Sequence, residues 1–289
     1  MYLRVSEVIQ CSTAYLAFVN KFLYAQKMAK KHPRINLAID LVLLTFTPGR
    51  KSGLEVLLLK RAKEPEIGKW SLPGGFVYSG EDTDLNKAIH RILENKLKVP
   101  LDEQEWDKQQ VGCFYTEERD KRNVATVVYW GLTSNKAEIA EKLSSNDDLE
   151  IFPVDSLKLF GGNKKLAFDH NERLEDAIEH LSKTMERENT AIKFFGEKFT
   201  TNELRFAYET VWNYSDSTFG SKSNFIQLVK KQKTSFSISE DTEITNEDQE
   251  DTQRGRPAIN WKKDLDNDGK PLKSQKLNYL FPRKKRDEK

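Results

Sequence analysis

The chain has 289 residues, enough for about two domains at roughly 150 residues each. A composition of 37% apolar and 32% charged residues allows a buried core but requires long solvated faces or a polar tail. The net charge of +2 excludes a uniformly basic nucleic-acid binder. The longest apolar stretches, such as Leu41–Leu44 and Leu57–Leu59, fall far short of the ~18 residues of a membrane span. Neither an apolar signal segment nor a small-residue cleavage site is visible at the N-terminus. Two cysteines, Cys11 and Cys113, supply neither a disulfide framework nor a zinc cluster. A cytoplasmic protein with no membrane partner is the expectation.

The spacing of Tyr15, Phe18, Val19, Phe22 and Leu23 predicts a helix in residues 1–33, ended by Pro33. Strand-like runs follow at Ile35–Phe46 and Leu54–Lys60, separated by a glycine- and proline-containing turn. Leu85, Ala88, Ile89, Ile92 and Leu93 predict a helix over Asp84–Leu97. Val111–Tyr115 and Ala125–Leu132 are rich in β-branched and aromatic residues and predict strands. Together these elements make a mixed α/β sandwich over residues 34–160.

A helical linker is predicted at 161–195, where Leu174, Ala177, Ile178 and Leu181 recur at helical spacing. Thr200-Thr201-Asn202-Glu203 has the form of a capping box, with Leu204, Ala207, Tyr208, Val211 and Trp212 striped behind it. A turn and a second short helix around Phe225, Leu228 and Val229 precede extended segments. Helix, turn, helix and hairpin predict a winged helix-turn-helix over residues 196–282.

Charge along this half is strongly patterned. Thr234–Gln253 holds seven acidic residues and no Lys or Arg, with the acidic insert placed at 239–253. Arg254–Lys289 holds twelve basic against five acidic residues, a local charge of +7, and ends in a basic tail at 283–289. Basic blocks beside a folded motif suit a nucleic-acid face.

The segment Trp70-Ser71-Leu72-Pro73-Gly74-Gly75-Phe76-Val77, followed by Gly80-Glu81 and a helix, resembles a Nudix hydrolase box. That chemistry needs a glycine-bounded loop against a diphosphate and glutamates on one helix face to bind Mg²⁺. Gly75 and Glu81 keep the loop spacing. With two residues inserted after Glu81, Arg91 takes the motif's arginine slot, while the glutamate slots hold Ile92, Asn95 and Lys96 and the glycine slot holds Lys98. Without the insertion only Glu94 survives as a ligand. The inserted register keeps Arg91 and the apolar positions and is preferred; under either one, at most one of three helix carboxylates remains. Efficient hydrolysis is therefore not expected, and no metal or cofactor is expected. Mg²⁺ enters only with a residual activity using Glu81 and Glu94.

The chain further resembles the Nudix-related transcriptional regulators, a Nudix domain fused to a C-terminal winged helix. Leu166-Ala167-Phe168-Asp169-His170 is similar to that group's domain junction. Phe199-Thr200 with Glu203-Leu204 is similar to its first winged-helix helix, Asn224-Phe225 to part of its second, and Arg254-Gly255-Arg256-Pro257-Ala258 to its wing. The resemblance implies an α/β/α Nudix sandwich acting as a sensor of ADP-ribose or a sugar-like ligand, and a homodimer that binds double-stranded DNA. The alternative it leaves open is a Mg²⁺-dependent hydrolase of a nucleoside diphosphate derivative. The acidic insert departs from the family's short wing.

Arg61, Gly75, Arg119 and Arg122 are the candidate ligand-binding residues, the arginines because a guanidinium matches a diphosphate bidentately. Ion pairing of Arg119 and Arg122 with Glu117 and Glu118 is the alternative. On the polar side of the second short helix, Lys222, Asn224, Gln227, Lys230 and Lys231 suit base and phosphate contacts. Arg254 and Arg256 suit a wing tip in the minor groove or on phosphate. His90 and His170 are expected to be ordinary helix and junction residues.

Overall fold

Strand β1 (Asn36–Phe46) runs through the middle of a seven-stranded sheet, and its near-continuous apolar sequence follows from burial on both faces. Alternate side chains serve opposite layers: Ile39, Leu41 and Leu43 pack on one side, Val42, Leu44 and Phe46 on the other. The computed structural model describes residues 19–21, 34–48, 53–97, 107–134, 147–157, 162–212, 221–241, 259–267 and 272. Of the predicted N-terminal helix only residues 19–21 fall within these, and they are helical. Arg254, Arg256, the acidic insert beyond Asp241 and the basic tail lie outside the described residues.

The sheet order is β3-β2-β1-β6-β5, from β2 (Leu54–Lys60), β3 (Trp70–Ser71), β5 (Asp107–Phe114) and β6 (Val124–Leu132). Strands β4 (Gly74–Phe76) and β7 (Leu149–Pro153) pair with β1 and β2 respectively. The central β1–β6 pair is parallel, from Asn36↔Val124 to Leu44↔Leu132. Helix α1 (Leu85–Leu97) covers one face with Ala88, Ile89, Ile92, Leu93 and Leu97. The opposite face is covered by α2 (His170–Met185), whose Leu174, Ala177, Ile178 and Leu181 are buried. The expected α/β/α sandwich is therefore completed by the helix that also leads into the second half. Trp130 of β6 fixes that docking by donating its indole N–H to His180 Nδ1 at 2.9 Å.

A 3-10 turn (Asn189–Phe194) connects α2 to a three-stranded antiparallel sheet of order β8-β10-β9. Its strands are β8 (Lys198–Thr200), β9 (Ile238–Asp241) and β10 (Asn260–Lys263). Between β8 and β9 lie α3 (Thr201–Trp212), α4 (Lys222–Lys231) and α5 (Lys233–Phe236). This is a winged helix, with β9 and β10 paired antiparallel behind the helices. The capping box forms as expected: Glu203 N–H donates to Thr200 Oγ1 at 3.1 Å, and Thr200 N–H donates to Glu203 Oε2 at 2.7 Å. Beyond α4 the chain makes the extra helical turn α5, which ends at Ser237 in a left-handed conformation (φ 54°) before β9 begins at Ile238.

No boundary of hydrophobic packing separates the halves. Phe46 at the end of β1 meets Phe194, Phe195 and Phe206 with ring centroids 5.5 to 5.8 Å apart. Trp212 of α3 donates its indole N–H to the Ser182 carbonyl of α2 at 2.8 Å. One core runs from Val42 and Trp130 through Leu181 to Tyr208, Phe225 and Trp261.

Candidate effector site and nucleic-acid interface

The glycine loop is pressed against β1. A Cβ at Gly74 would sit 2.5 Å from the Ile39 carbonyl oxygen, so the close strand approach admits only glycine there. A Cβ at Gly75 would meet Ile92 Cγ1 at 3.2 Å. Arg91 closes the loop's far end, its Nε and Nη2 forking onto Asp82 at 2.9 and 2.7 Å and its Nη2 also donating to the Phe76 carbonyl at 2.8 Å. These bonds, chiefly the hydrogen bond from Arg91, hold the Asp82 carboxyl down to about 2. Arg91 thus does what the inserted register requires of it, binding loop to helix.

In that register the first glutamate slot is Ile92, which is 2% exposed and packed beneath Gly75. Asn95 and Lys96 occupy the other two slots and are exposed, as are Glu81 and Glu94. Nudix domains that hydrolyse their substrates typically do so with Mg²⁺. An aliphatic plug, an amide and a lysine in place of three carboxylates do not fit that ion. Among the described residues, no group of three or more His, Cys, Asp or Glu could hold a metal.

Arg61 and Arg122 converge beside the loop. Arg61 donates from Nε to the Pro65 carbonyl at 2.8 Å, and its guanidinium lies 4.7 Å from the centre of the Phe168 ring. Burial and then the neighbouring charge of Arg122 lower the Arg61 pKa, so two cations share this region. Arg122 stacks 5.1 Å from the centre of Phe76, the residue after Gly75, and is held by Asp120 in a bidentate pair. Its side chain stays 42% exposed, so it remains available to a third party.

Arg119 is placed differently. Its side chain is 6% exposed, with Nη2 donating to Asp40 Oδ2 at 2.8 Å and Nε donating to Asp169. Neither Glu117 nor Glu118 engages it; both are exposed. Asp40 also accepts from Thr126 Oγ1 at 2.8 Å. His170, the first residue of α2, is fully enclosed beside them and accepts the Leu72 N–H at Nδ1 at 2.9 Å. Its pKa is lowered, chiefly by burial, so it is neutral, and the proton left to Nε2 faces Asp40 at 3.7 Å. Asp40 and Asp169 were not singled out from the sequence. A lone aspartate inside the apolar run of β1 was the available signal.

Helix α4 buries Phe225 and Val229 and leaves Lys222, Asn224, Gln227 and Lys231 exposed. Ser221 caps it, its Oγ accepting the Asn224 N–H at 3.3 Å. Lys230 is half-buried and pairs with Glu240 of β9 at 3.1 Å. The five polar residues expected to read nucleic acid therefore lie on one helix, next to β9. Among the described residues, no helix is long and apolar enough to cross a membrane.

Residues 37–176 match the NUDIX domain. The chain is 28% identical over 192 residues to the ADPR responsive transcriptional repressor NtrR of Acinetobacter baylyi, covering 66% of this chain and 72% of that protein. A crystal structure of Shewanella oneidensis NrtR complexed with a 27mer DNA superposes with a TM-score of 0.63 at 26% identity. That superposition covers 84% of this chain and 99% of the other. Residues 37–176 thus match a Nudix domain, and the similarity to these two proteins extends well beyond it. It is also 30% identical over 125 residues to the ADP-ribose pyrophosphatase of Methanocaldococcus jannaschii, covering 42% of this chain and 64% of that enzyme, just under two thirds of its length.

Proposed function

We propose that the chain is a ligand-responsive DNA-binding transcriptional regulator of the cytoplasm whose Nudix domain senses ADP-ribose or a related nucleotide or sugar ligand without hydrolysing it. The observation that carries this reading is a winged helix with its reading face exposed, built onto a Nudix fold whose metal-ligand slots hold Ile92, Asn95 and Lys96. Arg61 and Arg122 receive the ligand's diphosphate beside Gly75, supplying the positive charge that a metal ion gives in a hydrolase. Arg119 holds the base of the site through Asp40 and Asp169. Asn224 and Gln227 read base edges, Lys222, Lys230 and Lys231 bind phosphates, and Arg254 and Arg256 extend the contact from the wing. A homodimer on a palindromic operator completes the arrangement.

The test is fluorescence anisotropy with duplexes tiling the gene's own upstream region, at physiological salt with excess competitor DNA. Tight binding to one fragment, relieved by ADP-ribose, is the expected result. Equal binding to every fragment that collapses as salt rises would leave only charge-driven association and defeat the regulator reading.

The similarity to an ADP-ribose pyrophosphatase supports a second reading, a residual Mg²⁺-dependent hydrolase using Glu81 and Glu94. It requires AMP release from ADP-ribose that is lost in Glu81→Gln. Flat kinetics from a clean preparation would end it.

A further inference from the structure

The junction ahead of α2 is bonded to the Nudix loop at successive residues. Ala167 N–H donates to the Trp70 carbonyl at 2.8 Å, Phe168 N–H to Glu66 Oε2 at 3.2 Å, and Leu72 N–H to His170 Nδ1 at 2.9 Å. Asp169 ties the same turn to Arg119 and, at 3.3 Å, to Arg173. In the middle stands Phe168 with a φ of 52°, a left-handed conformation that a side chain with a Cβ disfavours. Its ring faces two ways. The Arg61 guanidinium lies 4.7 Å from its centre, and the His170 ring lies 5.5 Å away, centroid to centroid.

We propose that Phe168 is the residue through which occupancy of the arginine site is transmitted to the winged helix. An effector can shift a conformational equilibrium only through a difference in its interactions with the two states. Here the difference is the choice open to Arg61. In this structure its guanidinium is spent on the Phe168 ring and the Pro65 carbonyl. A ligand diphosphate competes for the same cation and draws it off the ring. Released from Arg61, Phe168 loses one of the contacts that hold its left-handed turn in place, which loosens the turn before His170. Helix α2 carries that change onward: its Ser182 and Met185 carbonyls accept from Trp212 and Tyr208 of α3. This inference rests on the reading of Arg61 and Arg122 as the effector site. Phe168 acts through Arg61 and His170 and is a positioning residue.

The experiment uses the full chain, with ADP-ribose as probe, and compares the unaltered protein with Phe168→Leu and Phe168→Gly. Leucine keeps apolar bulk without a π-face; glycine removes the ring and adopts the positive φ freely, so at least one variant retains the fold. Calorimetry gives the affinity, and hydrogen exchange across α2, α3 and α4 gives the response to ligand. In the unaltered chain ADP-ribose binds and changes exchange in all three helices. In the variants the affinity rises about 2- to 5-fold, because the ring no longer competes for Arg61, while the exchange response in α3 and α4 is lost. A merely structural defect would weaken binding. An undiminished response in α3 and α4, or an affinity unchanged or reduced, overturns the role of Phe168 and leaves the effector reading intact. Absence of ADP-ribose binding by the unaltered chain overturns both.

Discussion

Lys230 Nζ, in the last turn of α4, lies 3.1 Å from the Glu240 carboxylate on β9. Both side chains are more than a third exposed, so the pair adds little to folding. Its effect falls on binding, because a phosphate that takes Lys230 must displace Glu240. Glu240→Gln is expected to raise affinity for duplex DNA several-fold at low salt and to steepen the dependence of log affinity on log salt by up to about one unit. Anisotropy titrations at four salt concentrations decide it; superimposable lines for the two proteins would sink the idea.

Gln227 and Lys231 stand exposed on the same helix, one turn apart, and should fail in different ways. Gln227→Ala should cost about 1–3 kcal/mol on the preferred duplex and relax discrimination at one base pair. Lys231→Ala should weaken all duplexes alike and lower the salt slope by about one. Competition binding with single-base-pair variants separates the two. Loss of discrimination in Lys231→Ala would exchange the assignments.

Arg122 is the more accessible of the two arginines beside Gly75. Arg122→Ala should weaken ADP-ribose binding by about ten-fold or more, the scale of a lost charge-assisted hydrogen bond, with the DNA affinity of the ligand-free protein unchanged. Because the metal-ligand slots hold Ile92, Asn95 and Lys96, excess EDTA should leave ADP-ribose affinity untouched. Calorimetry with and without chelator checks both statements. A chelator-sensitive affinity would mean that a cation, rather than Arg61 and Arg122, carries the diphosphate.

Lys263 ends β10 with its ammonium donating to the Phe195 carbonyl at 2.6 Å, and burial, with Lys193 nearby, lowers its pKa to about 8. Between about pH 8 and the ordinary lysine value of 10.5, the unfolded chain carries this proton and the folded chain does not. Stability linked to Lys263 therefore rises with pH across that window, and the cost of the buried charge is fully felt below it. Urea denaturation from pH 7.5 to 10.5 should show the rise in the unaltered protein and its absence in Lys263→Met. Identical pH profiles would remove the assignment.

Much of the architecture was legible because local signals agreed with the tertiary outcome. Helix α1 begins at Leu85 against an expected Asp84, and both strands flanking the first turn end where expected. The capping box at Thr200 and Glu203 announces α3 through chemistry that needs no distant partner. Strand β5 begins at Asp107 instead of Val111, because its Asp-Lys-Gln-Gln opening lies at the edge of the sheet and has no apolar alternation to betray it. Strand β4 consists of Gly74, Gly75 and Phe76, which read as a turn until β1 supplies their partners.

The site was legible in residue type and less so in orientation. Nothing local separates Arg119 from Arg122 in Glu118-Arg119-Asp120-Lys121-Arg122. One turns inward because Asp40, 79 residues away, and Asp169, 50 residues away, await it. Phe168 was visible only as part of a junction, since its left-handed backbone and its stacking on Arg61 exist only when the halves are assembled.

The aromatic cluster of Phe46, Phe194, Phe195 and Phe206, with Trp212 bonded to Ser182, means that neither half owns a complete hydrophobic interior. Separating them near residue 160 would strip α2 from the sheet and leave the face around Trp130 wet. The winged-helix half is accordingly not a transplantable cassette, and heat should melt both halves in one cooperative transition. A small molecule seated at Arg61 and Arg122 would then raise the melting temperature of helices it never touches, so a thermal shift would report on the reader as faithfully as on the sensor.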